Sequence, residues 1–304
     1  MIGDDMDKIR IGIPRGLFYQ EFHTKWRYFF EHLGCEVIES EKTNQQVIKN
    51  GKRLANDEMC LSFQTYLGHV TSLKGKVDYI IVPRIDNYGT DLQTCTNFLA
   101  AYDIVKNLID VPLLNYNIDY ENHETEKKGF FKMGRQLSKS YSEIRKAYSL
   151  ACKMDKMIRN KKISKNYNRM SSSGFKVLVV GHSYTIHDDY FMRPIADQIE
   201  KNSGVLIYSD EFDESVTRKA SKKYSRELYW KYQKEAIGSI ALLENQIDGV
   251  IFISTFPCGP DSLVNELVMR KIHLPHLNLV IDDMDATAGI ETRIESFMDM
   301  LYER

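Results

Sequence analysis

The chain is poor in cysteine, with five in 304 residues and no two placed as a CxxC pair. A disulfide framework is excluded as the organiser of the fold, which leaves the thiols as ligands, free thiols or core filler. Long apolar runs are lacking as well. None approaches the ~20 residues needed to cross a bilayer, and the opening MIGDDMDK has no basic stretch ahead of an apolar one. The expectation is a cytoplasmic protein with no membrane partner. Neither sign of charge is in excess: 41 Lys and Arg stand against 42 Asp and Glu, a formal net charge of -1. No overall field draws in nucleic acid or anionic lipid, and neither is implied as a partner.

What is present is length and a repeated order. At 304 residues the chain exceeds the usual domain size of ~100 to 200 and suggests two cores. From Ile9, the β-branched run IRIGIP is followed by Gly16 and the helical pattern FYQEFHTKWRYFFEHLG. Then come the strand CEVIES from Cys35, a helix over TNQQVIKNGKRLAND with Thr43 as its N-cap, and a further helix over SFQTYLGHVTSLKGK. VDYIIVPRI (77–85) reads as a third strand, buried on both faces, and VPLLNYNID (111–119) as a fourth. The second half repeats this with the strands FKVLVVGH, VLIYSD, DGVIFISTF and PHLNLVID. Between them lie helices over DYFMRPIADQIEKNSG, around Trp230 to Gln246 and over DSLVNELVMRKIH, and IETRIESFMDML closes the chain.

Strands alternating with helices at this spacing require parallel sheets with long right-handed crossovers. The expected fold is α/β: two flavodoxin-like (Rossmann-like) parallel-sheet domains related by internal duplication and joined by a helical connector. The boundaries are 1–120 for the N-terminal domain, 121–173 for the lysine-rich helical connector ending in the turn sequence SSSG, and 174–304 for the C-terminal domain. The lysine run reads as a solvated helix face.

Doubly wound sheets bind ligands beyond the carboxyl ends of their strands, at the switch point between strands one and three of an order 2-1-3-4. The loops that qualify are PRGLFY (14–19), DNYGTDLQTC (86–95), GHSYTIHDD (181–189) and PCGPD (257–261). Two of them carry a cysteine, Cys95 and Cys258, and Gly259 leaves room beside Cys258 for a bulky inorganic group. Cys60, after DEM, also has access to the rim of the first sheet. Cys35 opens strand two at the opposite rim and Cys152 lies in the connector, so both read as small apolar packing residues. Three thiolates converging from two domains suit a soft metal and leave one metal position open, although the spacing alone, without a CxxC pair, favours buried thiols.

Several segments together resemble the family of 2-hydroxyacyl-CoA dehydratase components and activase-related proteins: IGIPRGLFY with Trp26 downstream, the DEMC of Cys60, VPRI, GHSYTIHDDY, FPCGPDSLVNE and DDMDATAGIETRIESF. The resemblance implies an iron-sulfur redox protein with a 4Fe-4S cluster, or part of a larger double-cubane cluster, held between the two domains by Cys60, Cys95 and Cys258. It also implies an ATP-dependent activase as electron donor, a related subunit or a second copy as partner, and a small substrate of the acyl-CoA class. The chain is shorter than the dehydratase subunits, has no cysteines for a second cubane in one protomer and has no Walker-type loop. ATP is therefore expected on a partner.

Beside the cysteines, Arg15 with Gly16, and Arg84, are placed to offset cluster charge or bind an acyl-CoA carboxyl, and surface ion pairing explains either arginine as well. His182 and His187 are placed to donate to a sulfide or carry a proton, or to serve as structural histidines. DATAGIETR (285–293) offers helix N-H groups to an anion, or is an ordinary capped loop. Two other readings remain beside the redox protein. One is a non-catalytic, cluster-bearing accessory or scaffold subunit, and the other is a cluster-free α/β ligand-binding protein.

Overall fold

The computed structural model describes residues 8–282, 284 and 287–303. They divide into two compact units whose chain segments interleave. The first holds the described residues up to Asn56, then Phe63–Thr90 and Thr94–Ile158. The second holds Asp57–Ser62, Asp91–Gln93 and the described residues from Arg159 onward.

In the first unit the order is β1 (Arg10–Ile13), α1 (Tyr19–His32), β2 (Glu36–Glu39), α2 (Gln45–Leu54), α3 (Leu61–Ser72), β3 (Tyr79–Ile81), β4 (Arg84–Asn87), α4 (Thr96–Leu108), β5 (Leu113–Leu114), β6 (Asn117–Asp119), α5 (Glu126–Gln136) and α6 (Tyr141–Met170). The sheet runs β2-β1-β3-β5, all parallel, with a separate parallel pair β4-β6. Ile11, Ile13, Ile80, Ile81 and Leu114 are fully buried on the sheet, and Trp26, Phe29 and Phe30 of α1 pack with the same core. Helices α2 and α3 approach so closely that a Cβ on Gly51 would lie 1.7 Å from the Gln64 carbonyl oxygen.

Two local expectations are corrected. VDYIIVPRI is not one strand but β3 and β4, divided around Pro83. The N-H groups of Ile80, Val82 and Arg84 still donate to Pro112, Leu114 and Tyr116 at 3.0, 3.0 and 2.9 Å. Pro83 falls on the alternate side, so its missing donor costs this ladder no bond while ending any pairing on its other side. The cap of α2 is Asn44 rather than Thr43: Asn44 Oδ1 accepts from Val47 N-H at 3.0 Å. Thr43 instead puts its hydroxyl 3.0 Å from His69 Nε2.

The second unit takes over α6 from Arg159 and continues with β7 (Phe175–Val180), α7 (Ser183–Ile186), α8 (Asp189–Lys201), β8 (Gly204–Tyr208), α9 (Glu214–Ala220), α10 (Lys231–Leu243), β9 (Gly249–Thr255), α11 (Gly259–Met269), β10 (His276–Ile281) and α12 (Ala288–Tyr302). Its parallel sheet runs β8-β7-β9-β10, the same 2-1-3-4 order as the first. Every residue of β9 is buried, as the unbroken apolar run requires of a strand covered on both faces.

The two sheets also share bonds at matching places. Arg10 N-H donates to Asp78 Oδ2 at 2.8 Å and Lys176 N-H to Asp248 Oδ2 at 2.6 Å. Ser40 N-H donates to Ile13 O at 3.1 Å and Ser209 N-H to Val179 O at 3.0 Å. The repeat read from sequence is thus a repeat of topology.

Candidate functional site

Strand β9 ends at Thr255, and Cys258 is the residue that caps α11, with an extended backbone (φ -92°, ψ 103°). Its carbonyl accepts from Ser262 N-H at 3.0 Å, which fixes the turn. The thiol is half-buried and donates to the Asp261 carboxylate. Burial pushes its pKa well up, and the charges of Asp261 and of Cys60 add to that. A Cβ on Gly259, the residue after Cys258, would meet nothing within 4 Å.

His182 follows β7 and caps α7, stacked on Tyr184 with ring centroids 4.7 Å apart. Its Nε2 lies 3.3 Å from Asp261 Oδ1. Gln233, on α10, places its amide nitrogen 2.8 Å from Asp261 Oδ1 and 3.0 Å from His182 Nε2. His182, Gln233 and Asp261 are all buried. Beside them is a cavity of about 10 Å³, room for one water molecule, lined also by Tyr232 and Asn265. His182, Cys258 and Asp261 bring three ligand atoms within 4.8 Å of one another, a group that could hold a metal ion.

Cys60 belongs to this same unit. Leu61 N-H donates to Phe256 O at 2.8 Å, and the Ser62 hydroxyl shares a 2.9 Å hydrogen bond with that of Thr255, which joins the segment to the end of β9. Cys60 is buried immediately before α3. The second segment that joins this unit, Asp91–Gln93, is held by Gln93 N-H to Tyr229 O and Lys231 N-H to Gln93 O, both at 2.9 Å. Cys95 is half-buried and caps α4 in the first unit. Each of these three cysteines thus stands directly ahead of a helix. Cys35 precedes β2 and Cys152 lies within α6, and burial raises the pKa of both thiols.

The arginines are engaged inside the first unit. Arg15 donates to Glu39 Oε2 at 2.6 Å and through Nε to Ser40 O at 3.0 Å, beside Gly16, whose φ of +108° favours glycine. Glu39 also accepts from Tyr19 and Arg27. Behind Gly16 lies His69, fully buried, with ring nitrogens 3.0 Å from Ser40 Oγ and 3.0 Å from Thr43 Oγ1. Burial, and then the charge of Arg15, pushes its pKa down to about 3. Arg84 pairs with both carboxylate oxygens of Asp103 at 2.6 Å. His187 lies 2.9 and 3.0 Å from the two carboxylate oxygens of Asp210. In the 285–293 segment, Asp285 and Ala286 lie outside the described residues, and the Thr287 hydroxyl bonds Glu291 at 2.7 Å.

Sequence reasoning missed Asp261 and Gln233. Asp261 ends the PCGPD loop, where a lone carboxylate gives no sign of its partners. Gln233 carried one weak signal, an uncharged polar residue in a helix that otherwise turns Ile237 and Ile240 to the core.

The family described as CoA enzyme activase uncharacterised domain matches residues 10–212 of the chain. The chain belongs to this family. The match fits the 2-hydroxyacyl-CoA dehydratase and activase-related group, and takes in Arg15, Gly16, Cys60, Arg84, Cys95 and His182 but not Gln233, Cys258, Gly259 or Asp261. No curated protein matches the chain. Among solved structures, a carbohydrate transporter from Acidothermus cellulolyticus 11B, in complex with myo-inositol, is 11% identical over 97% of this chain and 86% of its own, with a TM-score of 0.23. A likeness that slight carries no argument. Among the described residues, no helix is long and apolar enough to cross a membrane.

Proposed function

We propose that this chain is a cytoplasmic iron-sulfur redox protein of the 2-hydroxyacyl-CoA dehydratase type. Cys60, Cys95 and Cys258 would hold a 4Fe-4S cluster, or part of a larger one, reduced by an ATP-dependent activase. The observation that carries this reading is that all three cysteines stand at helix N-termini, whereas Cys35 and Cys152 do not. The positive end of the helix dipole favours thiolates and the anionic group they bind.

The donor set fits. Cys60 and Cys258, far apart along the chain, lie in one unit and feel each other's charge. Cys258 beside Asp261 is costly to ionise without a cation, and the open space at Gly259 gives a bulky group room. Bound there, a cluster would supply low-potential electrons one at a time. Arg15, Gly16 and Arg84 belong to the proposal as neighbours that bind or orient an anionic substrate of the acyl-CoA class, once their ion pairs with Glu39 and Asp103 yield.

A second reading is an accessory subunit that carries the cluster and pairs with a related chain for turnover. Strictly anaerobic protein, incubated with an activase, ATP and a 2-hydroxyacyl-CoA, separates the two. Water loss from the substrate supports a complete enzyme, and iron and sulfide without turnover support the accessory subunit. Colourless, iron-free protein contradicts both.

A further inference from the structure

We propose that His182, Cys258 and Asp261 form a site for a single divalent transition-metal ion of the zinc or ferrous class, built by the second unit alone and oriented by Gln233. The inference goes beyond the cluster reading and needs neither Cys60 nor Cys95, although ion and cluster would compete for Cys258.

Gln233 ties the imidazole and the carboxylate together. Its amide nitrogen is 2.8 Å from a carboxylate oxygen, which accepts only, so this nitrogen donates. The same nitrogen is 3.0 Å from His182 Nε2. His182 Nε2 also lies 3.3 Å from Asp261 Oδ1: carrying the proton it donates to the carboxylate, and without it the ring nitrogen offers a lone pair beside two other ligand atoms. A metal ion takes the second form, with imidazole and carboxylate both bound to it.

The distance that suits a hydrogen bond also suits a shared cation. Two ligands on a tetrahedral ion, at bonds of about 2.0–2.2 Å, stand about 3.4 Å apart. Cys258 Sγ, within 4.8 Å of both, reaches its place by moving in about 1 Å. Ligands of separate irons in a cluster stand farther apart than ligands of one ion, so this trio fits the single ion. Binding releases the Cys258 thiol proton to solvent and leaves a thiolate, an imidazole and a carboxylate, with the fourth position open to water. Gln233 is the outer residue that fixes both the imidazole and the carboxylate.

The test is Co²⁺ titration of the full chain, stripped of metal and kept reduced. One equivalent should bind, with the visible bands of a tetrahedral ion and a near-ultraviolet thiolate charge-transfer band. Gln233→Leu should weaken binding about 10- to 100-fold, and Asp261→Asn and Cys258→Ser, which remove ligands, by at least as much. Cys60→Ala should bind cobalt like the parent. Circular dichroism establishes that each variant is folded, and the titration of the parent needs no variant. A parent with no thiolate charge-transfer band, a folded Asp261→Asn that binds as tightly, or loss of cobalt in folded Cys60→Ala would overturn the proposal. Iron and sulfide analysis reads the cluster separately, so either reading can fail alone.

Discussion

His69 makes the stability of the first unit depend on pH. In the unfolded chain an imidazole titrates near 6.5, and in the fold burial and the neighbouring Arg15 bring it down to about 3. Below pH 6.5 the unfolded chain therefore binds a proton that the fold refuses. Stability is full above that pH and falls with decreasing pH until about 3, where the loss is complete. Between pH 7 and pH 5 the loss amounts to about 2 kcal/mol. Urea unfolding at the two pH values measures it, in a Trp230→Phe background that leaves Trp26 of the first unit as the fluorescent reporter. His69→Gln keeps polar atoms near Ser40 and Thr43 but cannot titrate, so its loss over the same interval should be smaller by about 2 kcal/mol. An equal loss in both proteins would refute the assignment.

Two other substitutions test the packing that supports this region. Gly51→Ala would place a Cβ 1.7 Å from the Gln64 carbonyl, forcing α2 and α3 apart. A destabilisation of about 1–3 kcal/mol by urea unfolding is expected, and an unchanged midpoint would contradict the close approach. Glu39→Gln leaves Arg15 and Arg27 without their carboxylate and should cost about 2 kcal/mol at pH 7. Burial raises the pKa of Glu39, but bonds from Tyr19 and the two arginines bring it below its usual value. Its contribution is therefore full above about pH 4.3 and fades as pH falls toward the folded value, so the gap between parent and variant should narrow in acid.

The strand order was legible because an apolar run such as GVIFIST has one comfortable place, covered on both faces, and helices of the right length follow each such run. Pro83 shows where that reading stopped. Periodicity cannot tell which side of a strand has lost its neighbour, and that decides where the ladder divides. Cys258 was legible from its place past a buried strand, next to a glycine. The path of Asp57–Ser62 into the second unit was not, since it depends on bonds such as Leu61 to Phe256 between segments with no common local pattern. Asp261 and Gln233 were hidden for a related reason. Each is an ordinary polar residue on its own helix, and only the tertiary fold turns both toward His182.

The central claim is that cysteines at three helix starts bind iron while the other two pack. Iron and sulfide analysis of anaerobically purified protein, with each cysteine replaced in turn by alanine, tests this most directly. The parent should carry about four irons and as many sulfides. Cys60→Ala, Cys95→Ala and Cys258→Ala should lose them, whereas Cys35→Ala and Cys152→Ala should not. Equal loss in Cys35→Ala and Cys258→Ala, or a parent without iron, would contradict the account.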